Sequence, residues 1–271
     1  MVASKKDIAS LNIAKQILDS YPFERKIETF NENPVYEAKI DSKSIKLVTL
    51  NQESIYAQNI TNFFANPQLV IFISRHSSES GTPTLSVHTP GNLGNVELGG
   101  LPKSVSVSPA NVMRDALVSM AWLKDEMHLQ YDVCYECTHH GPSLNVPTMF
   151  AELGSSPKQW SDLKAAEAVA NAVISAIAKF SVSKAEAVLG IGGPHYNAKF
   201  TRIALESEIA FGHIIPKYAV PYLDAEILRQ CINKTFEKVE YAILDWKGIK
   251  GEDKPKVVKM LDEIGLRYEK V

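Results

Sequence analysis

The sequence predicts an α/β protein, a three-layer αβα sandwich with a mixed, largely parallel sheet. Three observations predict it. Apolar runs of strand length, at residues 69–73, 131–135 and 187–191, alternate with longer segments whose apolar residues recur at helical spacing. The first of these runs is continuously apolar, the mark of a strand covered on both faces. Histidines gather where the runs end: in Ser74-Arg75-His76-Ser77-Ser78, in Glu136-Cys137-Thr138-His139-His140-Gly141-Pro142 and in Gly192-Gly193-Pro194-His195-Tyr196, with Gly212-His213 as a fourth cluster. Open α/β sheets bind ligands outside the carboxyl ends of their strands. Imidazole binds metals and titrates near neutral pH, so the pattern is that of an enzyme.

The elements follow in order. Residues 2–4 read as a first strand. Ser4 is the predicted N-cap of the next helix, with Asp7 in its first turn. Ile8, Leu11, Ala14, Ile17 and Leu18 form that helix's apolar stripe, to about Asp19. Residues 35–40 and 45–50 read as paired strands around a polar turn, and residues 69–74 as a covered strand. Residues 75–110 are rich in Gly, Pro, Ser and Thr and lack periodicity. Irregular stretches of this length tend to be functional, so an active-site insertion is expected there, the alternative being a surface excursion. Ser108-Pro109 reads as N-cap and first residue of a helix to about Leu129. Strands are expected at 131–137 and 148–153. Ser161 caps a long helix with Leu163, Ala166, Val169, Ala170, Val173, Ile174 and Ile177 on one stripe. A strand to Ile191, a strand at 211–215, a helix at 223–235, a strand at 241–245, a helix at 255–264 and a strand at 266–270 complete the chain. No linker or repeat interrupts it, so residues 1–271 are expected to form one domain.

Composition narrows the function. The 271 residues are 45% hydrophobic and 22% charged, enough for a sizeable core. No apolar stretch approaches the roughly 20 residues of a membrane span, and the first residues lack the apolar region of a signal peptide. Three cysteines fit reduced thiols and a cytoplasmic setting better than a disulfide framework. The net charge of −2 argues against a general nucleic-acid-binding domain and leaves room for a local phosphate patch.

Cys134 and Cys137 have CxxC spacing but fall in a predicted strand, whose side chains alternate faces. They read as buried thiols rather than a zinc knuckle. Glu136, between them, is a carboxylate in an apolar strand. Burial alone would raise its pKa, and it needs a histidine, an arginine or a metal to stay ionised. His139 and His140 are adjacent, and neighbouring side chains seldom converge, so one is expected as ligand or base and the other as its support. His88 is a ligand or a surface residue, His213 a ligand or a pairing residue, and His128 a helix-end residue. The chain has no G-x-S-x-G elbow, no Walker A loop and no dinucleotide fingerprint after a strand.

The clusters quoted above resemble the archaeal and plant type of D-aminoacyl-tRNA deacylase. Ala3-Ser4-Lys5-Lys6-Asp7, Val87-His88-Thr89-Pro90-Gly91-Asn92, Glu152-Leu153-Gly154-Ser155, Phe200-Thr201 and Gly212-His213-Ile214-Ile215-Pro216-Lys217-Tyr218 carry the same resemblance. It covers most of the chain and is weakest over the last 40 or so residues. The resemblance implies a phosphorylase/hydrolase-like fold and a zinc-dependent hydrolase that releases D-amino acids from tRNA. On that expectation His76, His140 and His195 are the zinc ligands. Glu136, His139 and Arg75 are the catalytic residues: Glu136 completes the metal shell or acts as base, His139 orients a ligand or protonates the leaving oxygen, and Arg75 holds a terminal phosphate. Lys199, Lys217 and Tyr196 bind the substrate. The expected partner is a D-aminoacyl-tRNA, with no membrane or DNA, and the protein is expected as a cytoplasmic monomer. The alternatives are a hydrolase of peptidyl- or N-blocked aminoacyl-tRNA, a related metallo-amidase, and a tRNA-binding module with structural histidines.

Overall fold

The computed structural model describes residues 1–64, 66–96 and 98–271. Its strands in chain order begin with β1 (Val2–Ser4), β2 (Glu24–Phe30), β3 (Asn33–Ile40), β4 (Lys43–Leu50), β5 (Val70–Arg75), β6 (Thr84–His88), β7 (Gly91–Asn92) and β8 (Ser104–Val105). They continue with β9 (Asp132–Tyr135), β10 (Thr148–Gly154), β11 (Glu186–Ile191), β12 (Ile209–Ile215), β13 (Tyr241–Leu244) and β14 (Tyr268–Lys270). The helices are α1 (Ile8–Ser20), α2 (Ala110–Glu126), α3 (Pro157–Trp160), α4 (Leu163–Lys179), α5 (Ala198–Glu206), α6 (Ala225–Asn233) and α7 (Lys254–Ile264).

The eight-stranded sheet runs β2-β3-β4-β1-β5-β10-β6-β9, and a four-stranded parallel sheet runs β12-β11-β13-β14. The chain beyond β9 joins them: Thr138 N donates to the Ile214 carbonyl, and Cys137 N to the His195 carbonyl. One face, with Ile71, Ile73, Leu85, Val87, Met149, Ala151, Val188 and Phe211, packs on the apolar stripes of α1, α2 and α4. On the other face α6 and α7 cover Leu189, Ile191 and Leu244 through Leu228, Val257 and Leu261. This is the expected sandwich, with a mixed, largely parallel sheet. Among the described residues no helix is long and apolar enough to cross a membrane.

Several helix starts differ from the sequence reading because a carboxylate outcompetes a hydroxyl. Asp7, not Ser4, caps α1 by accepting from Ser10 N at 2.9 Å. Asp162, not Ser161, caps α4 through Lys164 N and Ala165 N. At α2 the distant Glu237 carboxylate takes Ala110 N and Asn111 N, so Ser108 makes no side-chain cap there. Residues 75–110 are more regular than expected, since β6 enters the eight-stranded sheet between β10 and β9. β2 escaped the sequence reading because it is an edge strand exposed along all but Phe30, with no buried face to leave a pattern. α5 escaped it because only nine residues, capped by Asn197, carry its signal.

Candidate active site

Register builds the site. In β10, Glu152 lies between Ser74 of β5 and Ser86 of β6, and Phe150 lies opposite His88. Period-two alternation puts these residues on the face away from α1, α2 and α4. β6 and β9 run opposite to β5 and β10. The chain ends that carry His76 and Glu136 therefore approach from opposite directions. The histidines meet across a sheet face, not in a row at one carboxyl edge as the sequence suggested.

Two carboxylates form the floor. Glu136 and Glu152 are 2% and 4% exposed, and their burial pushes both pKa values up. Imidazoles outweigh that burial. His195 Nε2 lies 3.0 Å from Glu136 Oε2, and His76 Nδ1 lies 3.3 Å from Glu136 Oε1 and 3.6 Å from Glu152 Oε2. Ser86 Oγ donates to Glu136, and Ser74 Oγ to Glu152 at 2.6 Å. Both carboxyls are held well below the ordinary range, the reverse of the rise that burial alone predicts for Glu136.

His88, His139 and His140 form one wall. Their ring centroids lie 4.2, 4.9 and 4.3 Å apart, and the His88 ring stacks on Phe150 at 5.1 Å. The two adjacent histidines do converge, against expectation, because His140 sits at φ +38° and turns the chain back. Such left-handed backbone in a non-glycine residue is strained. Gly141 permits the turn, since a Cβ there would lie 2.1 Å from Gly100 N. His139 Nδ1 lies 2.8 Å from the Cys137 carbonyl, and His140 Nδ1 lies 2.7 Å from the Gly141 carbonyl. A carbonyl only accepts, so each Nδ1 carries the proton and each Nε2 offers a lone pair. Burial, with His88 beside them, lowers the pKa of both, that of His140 to about 4. His139 is therefore a neutral imidazole, suited to ligation and not to the proton-donor role expected of it. His88 is 1% exposed, and among the described residues neither ring nitrogen makes a hydrogen bond, Glu152 Oε1 lying 3.8 Å from its Nε2. It is a core member of the site and not a surface residue.

His195 closes the site from the second sheet. Burial disfavours its imidazolium, but Cys137 Sγ and Glu136 raise its pKa to about 10. Its Nδ1 lies 3.2 Å from Cys137 Sγ and 3.1 Å from the Tyr218 hydroxyl. Cys137 thus belongs to the site, contrary to its reading as a mere packing thiol. β9 ends at Tyr135, so strand alternation does not extend to it. Cys134 stays buried.

Three triplets bring ligand atoms within 4.8 Å of one another: His88-His139-His140, Cys137-His139-His195 and His76-Glu136-Glu152. The three expected zinc ligands His76, His140 and His195 fall one in each, and do not share a point. The donor chemistry nonetheless fits a zinc ion: neutral imidazoles with fixed tautomers, a thiol, carboxylates, and an orphaned buried histidine.

Tyr196 packs edge-on against His76 at 5.1 Å and lines a cleft of about 560 Å³ with Ser78, Thr84 and Arg202. Arg75 points away from the site, because it alternates with Ser74 and His76. Its guanidinium binds the Lys6 carbonyl and Glu53 and lies over Trp160, apart from the histidine–carboxylate cluster. Lys199 is engaged by Asp245 and by the Val271 carbonyl rather than left for phosphate. Lys217 is exposed beside Tyr218. His213 is fully buried between Thr138 and the Lys234 carbonyl, a pairing residue. His128 is exposed just past the end of α2. The sequence reading missed Glu152, Ser74, Ser86 and Tyr218. Glu152 carried the same signal as Glu136, a lone acid in an apolar strand.

Residues 63–269 match the family model described as D-aminoacyl-tRNA deacylase. A D-aminoacyl-tRNA deacylase of Thermococcus kodakarensis is 38% identical over 274 residues, 99% of this chain and 98% of that one. One of Pyrococcus abyssi is 37% identical over 276 residues, 100% of this chain and 98% of that one. A crystal structure of a conserved protein of unknown function superposes with a TM-score of 0.88 at 30% identity, covering 99% of this chain and 93% of the other.

Proposed function

The chain belongs to the D-aminoacyl-tRNA deacylase family, hydrolases acting on an ester bond, and we propose that the buried histidine–carboxylate cluster is its hydrolytic centre and holds zinc. One observation carries this reading. Five of the seven histidines and two carboxylates converge in one cluster, and among the described residues one of those histidines, His88, makes no hydrogen bond at either nitrogen.

His88, His139 and His140 are the residues that would hold the ion, with His76, Glu136 and Glu152 as a second donor set. A bound zinc supplies a water of lowered pKa and polarises the ester carbonyl. The chain's own groups do the rest. Glu136 and His195 share a proton over 3.0 Å. Starting from carboxylate and imidazolium, Glu136 takes the proton of the attacking water while His195 gives its own to the ribose oxygen as the carbon–oxygen bond breaks, and the proton on Glu136 then passes back to His195. Tyr218, beside His195 Nδ1, orients the imidazole. Tyr196 and the cleft beside it receive the 3′-terminal nucleotide, whose base can stack on an exposed aromatic ring. We read both sheets as one unit acting in the cytoplasm on charged tRNA, since the site draws residues from each.

Release of D-tyrosine from D-Tyr-tRNA, compared with L-Tyr-tRNA, N-acetyl-D-Tyr-tRNA and a D-tyrosyl peptide, tests the substrate. The D-aminoacyl ester should be cleaved fastest. Faster cleavage of the N-blocked ester or the peptide would favour the peptidyl-tRNA hydrolase or amidase reading instead.

A further inference from the structure

The four parallel strands β12-β11-β13-β14 all end at one edge. His195 and Tyr218 of the site lie there, after β11 and β12. The loops along that edge are stitched together. Lys217 N donates to the Gly193 carbonyl at 2.9 Å, Gly193 N to Gly248 at 3.3 Å, and Trp246 N to Val271 at 3.1 Å. Lys217 follows β12, Lys247 follows β13, and Lys270 ends β14. Lys254 opens α7 nearby, and its Nζ lies 4.8 Å from the Trp246 ring. Lys270 Nζ lies 4.0 Å from the same ring. Two ammonium groups thus lie over one aromatic ring, an attraction that leaves their mutual repulsion in place. None of Lys217, Lys247, Lys254 and Lys270 has a carboxylate partner among the described residues.

The acids nearby do not cancel this charge. Asp245 is taken by Lys199, Asp253 is buried, and Glu269 alternates with Lys270 to the opposite face of β14. Glu252 is the exposed carboxylate between 245 and 258, against Lys247, Lys250, Lys254 and Lys256, while Lys259 beyond them pairs with Glu263. A chain of net charge −2 therefore carries a local cationic strip that starts at the rim of its site. From β12 to β14 is three inter-strand steps, about 14 Å. A duplex presents several phosphates over that length.

We infer that this edge, from Lys217 to Lys247, Lys254 and Lys270 around Trp246, is the docking strip for the sugar–phosphate backbone of the tRNA acceptor stem. The inference rests on the substrate being an aminoacyl-tRNA. Phosphates set between these lysines replace the missing counter-charge and aim the 3′ end past Tyr218 toward His195.

The test compares two substrates of one enzyme, D-Tyr-tRNA and D-tyrosyl-adenosine, which has the ester but no stem. With Lys247→Gln, Lys254→Gln and Lys270→Gln combined, KM for D-Tyr-tRNA should rise about tenfold or more, and the slope of log KM against log salt should fall by about two to three. The kcat, and hydrolysis of D-tyrosyl-adenosine, should be unchanged. Lys26→Gln with Lys39→Gln, on the remote β2-β3 hairpin, should leave KM alone. Lys247→Glu, at an exposed position, should raise KM for D-Tyr-tRNA on its own. An unchanged KM and salt slope in the triple variant, or an equal loss on D-tyrosyl-adenosine, would overturn the strip. Binding of uncharged tRNA reads the strip without chemistry. If wild type cleaves neither substrate yet binds tRNA through these lysines, the hydrolase reading fails and the strip stands.

Discussion

Glu136 and Glu152 are carboxylates almost sealed from water, and imidazoles keep them ionised. In Glu136→Gln the shape remains and the charge that holds His195 protonated is lost. The kcat for D-Tyr-tRNA should fall by about 10²–10⁴-fold with the fold intact, and the His195 pKa should drop from its value of about 10. A kcat within threefold of wild type would remove Glu136 from the chemistry. His213 gives a separate pH signature. Burial lowers its pKa from 6.5 to about 4. Between those values the unfolded chain binds a proton that the folded one refuses, so stability is lost as pH falls from 6.5 toward 4, by at most about 3 kcal/mol. The loss is absent at pH 7. In His213→Gln that part of the pH dependence should vanish, so urea unfolding at pH 7 and pH 4.5 should show wild type losing about 2 kcal/mol more than the variant. Glu136 was legible in the sequence because an acid in an apolar run is anomalous on its face. Arg75 was misread because a residue's neighbours in sequence, His76 included, point to the other side of a strand.

At the scale of elements, the site depends on where loops cross. The 139–142 turn rests on Gly99 and Gly100, and a Cβ on Gly141 would meet Gly99 C at 2.4 Å and Gly100 N at 2.1 Å. Backbone cannot step aside as a flexible side chain would. Gly141→Ala should therefore part the two loops, cost about 1–3 kcal/mol of stability and displace His140. Deacylation should fall at least tenfold while far-UV circular dichroism stays the same, and activity within twofold of wild type would show that the turn's placement is dispensable. The covered strands and the long helices were legible because burial leaves a period in the sequence. The polar edge strand β2 and the short helix α5 left little. The caps were misplaced because Asp7, Asp162 and the remote Glu237 bind helix amides better than the nearer serines. A partner 127 positions away in sequence, as Glu237 is from Ala110, leaves no local trace.

Over the whole molecule, two sheets supply one site. The eight-stranded sheet contributes the carboxylates and four histidines from strands running both ways, and the four-stranded sheet contributes His195 and Tyr218. The sequence showed the strand ends and their histidines but not the antiparallel step at β6, which carries His88 to the centre and brings His76 against Glu136. That step is a long-range pairing, and it separates the expected ligand trio into three different groups. What the sheets assemble is a cluster in which His139 and His140 are neutral imidazoles beside ionised carboxylates, a set suited to a divalent ion. The most direct test is D-tyrosine release from D-Tyr-tRNA by protein stripped of metal with a chelator, then supplied with zinc. Activity should disappear on stripping and return with zinc, and the His88→Ala and His140→Ala variants should fail to recover it. Full turnover by protein shown to contain no metal would contradict the account.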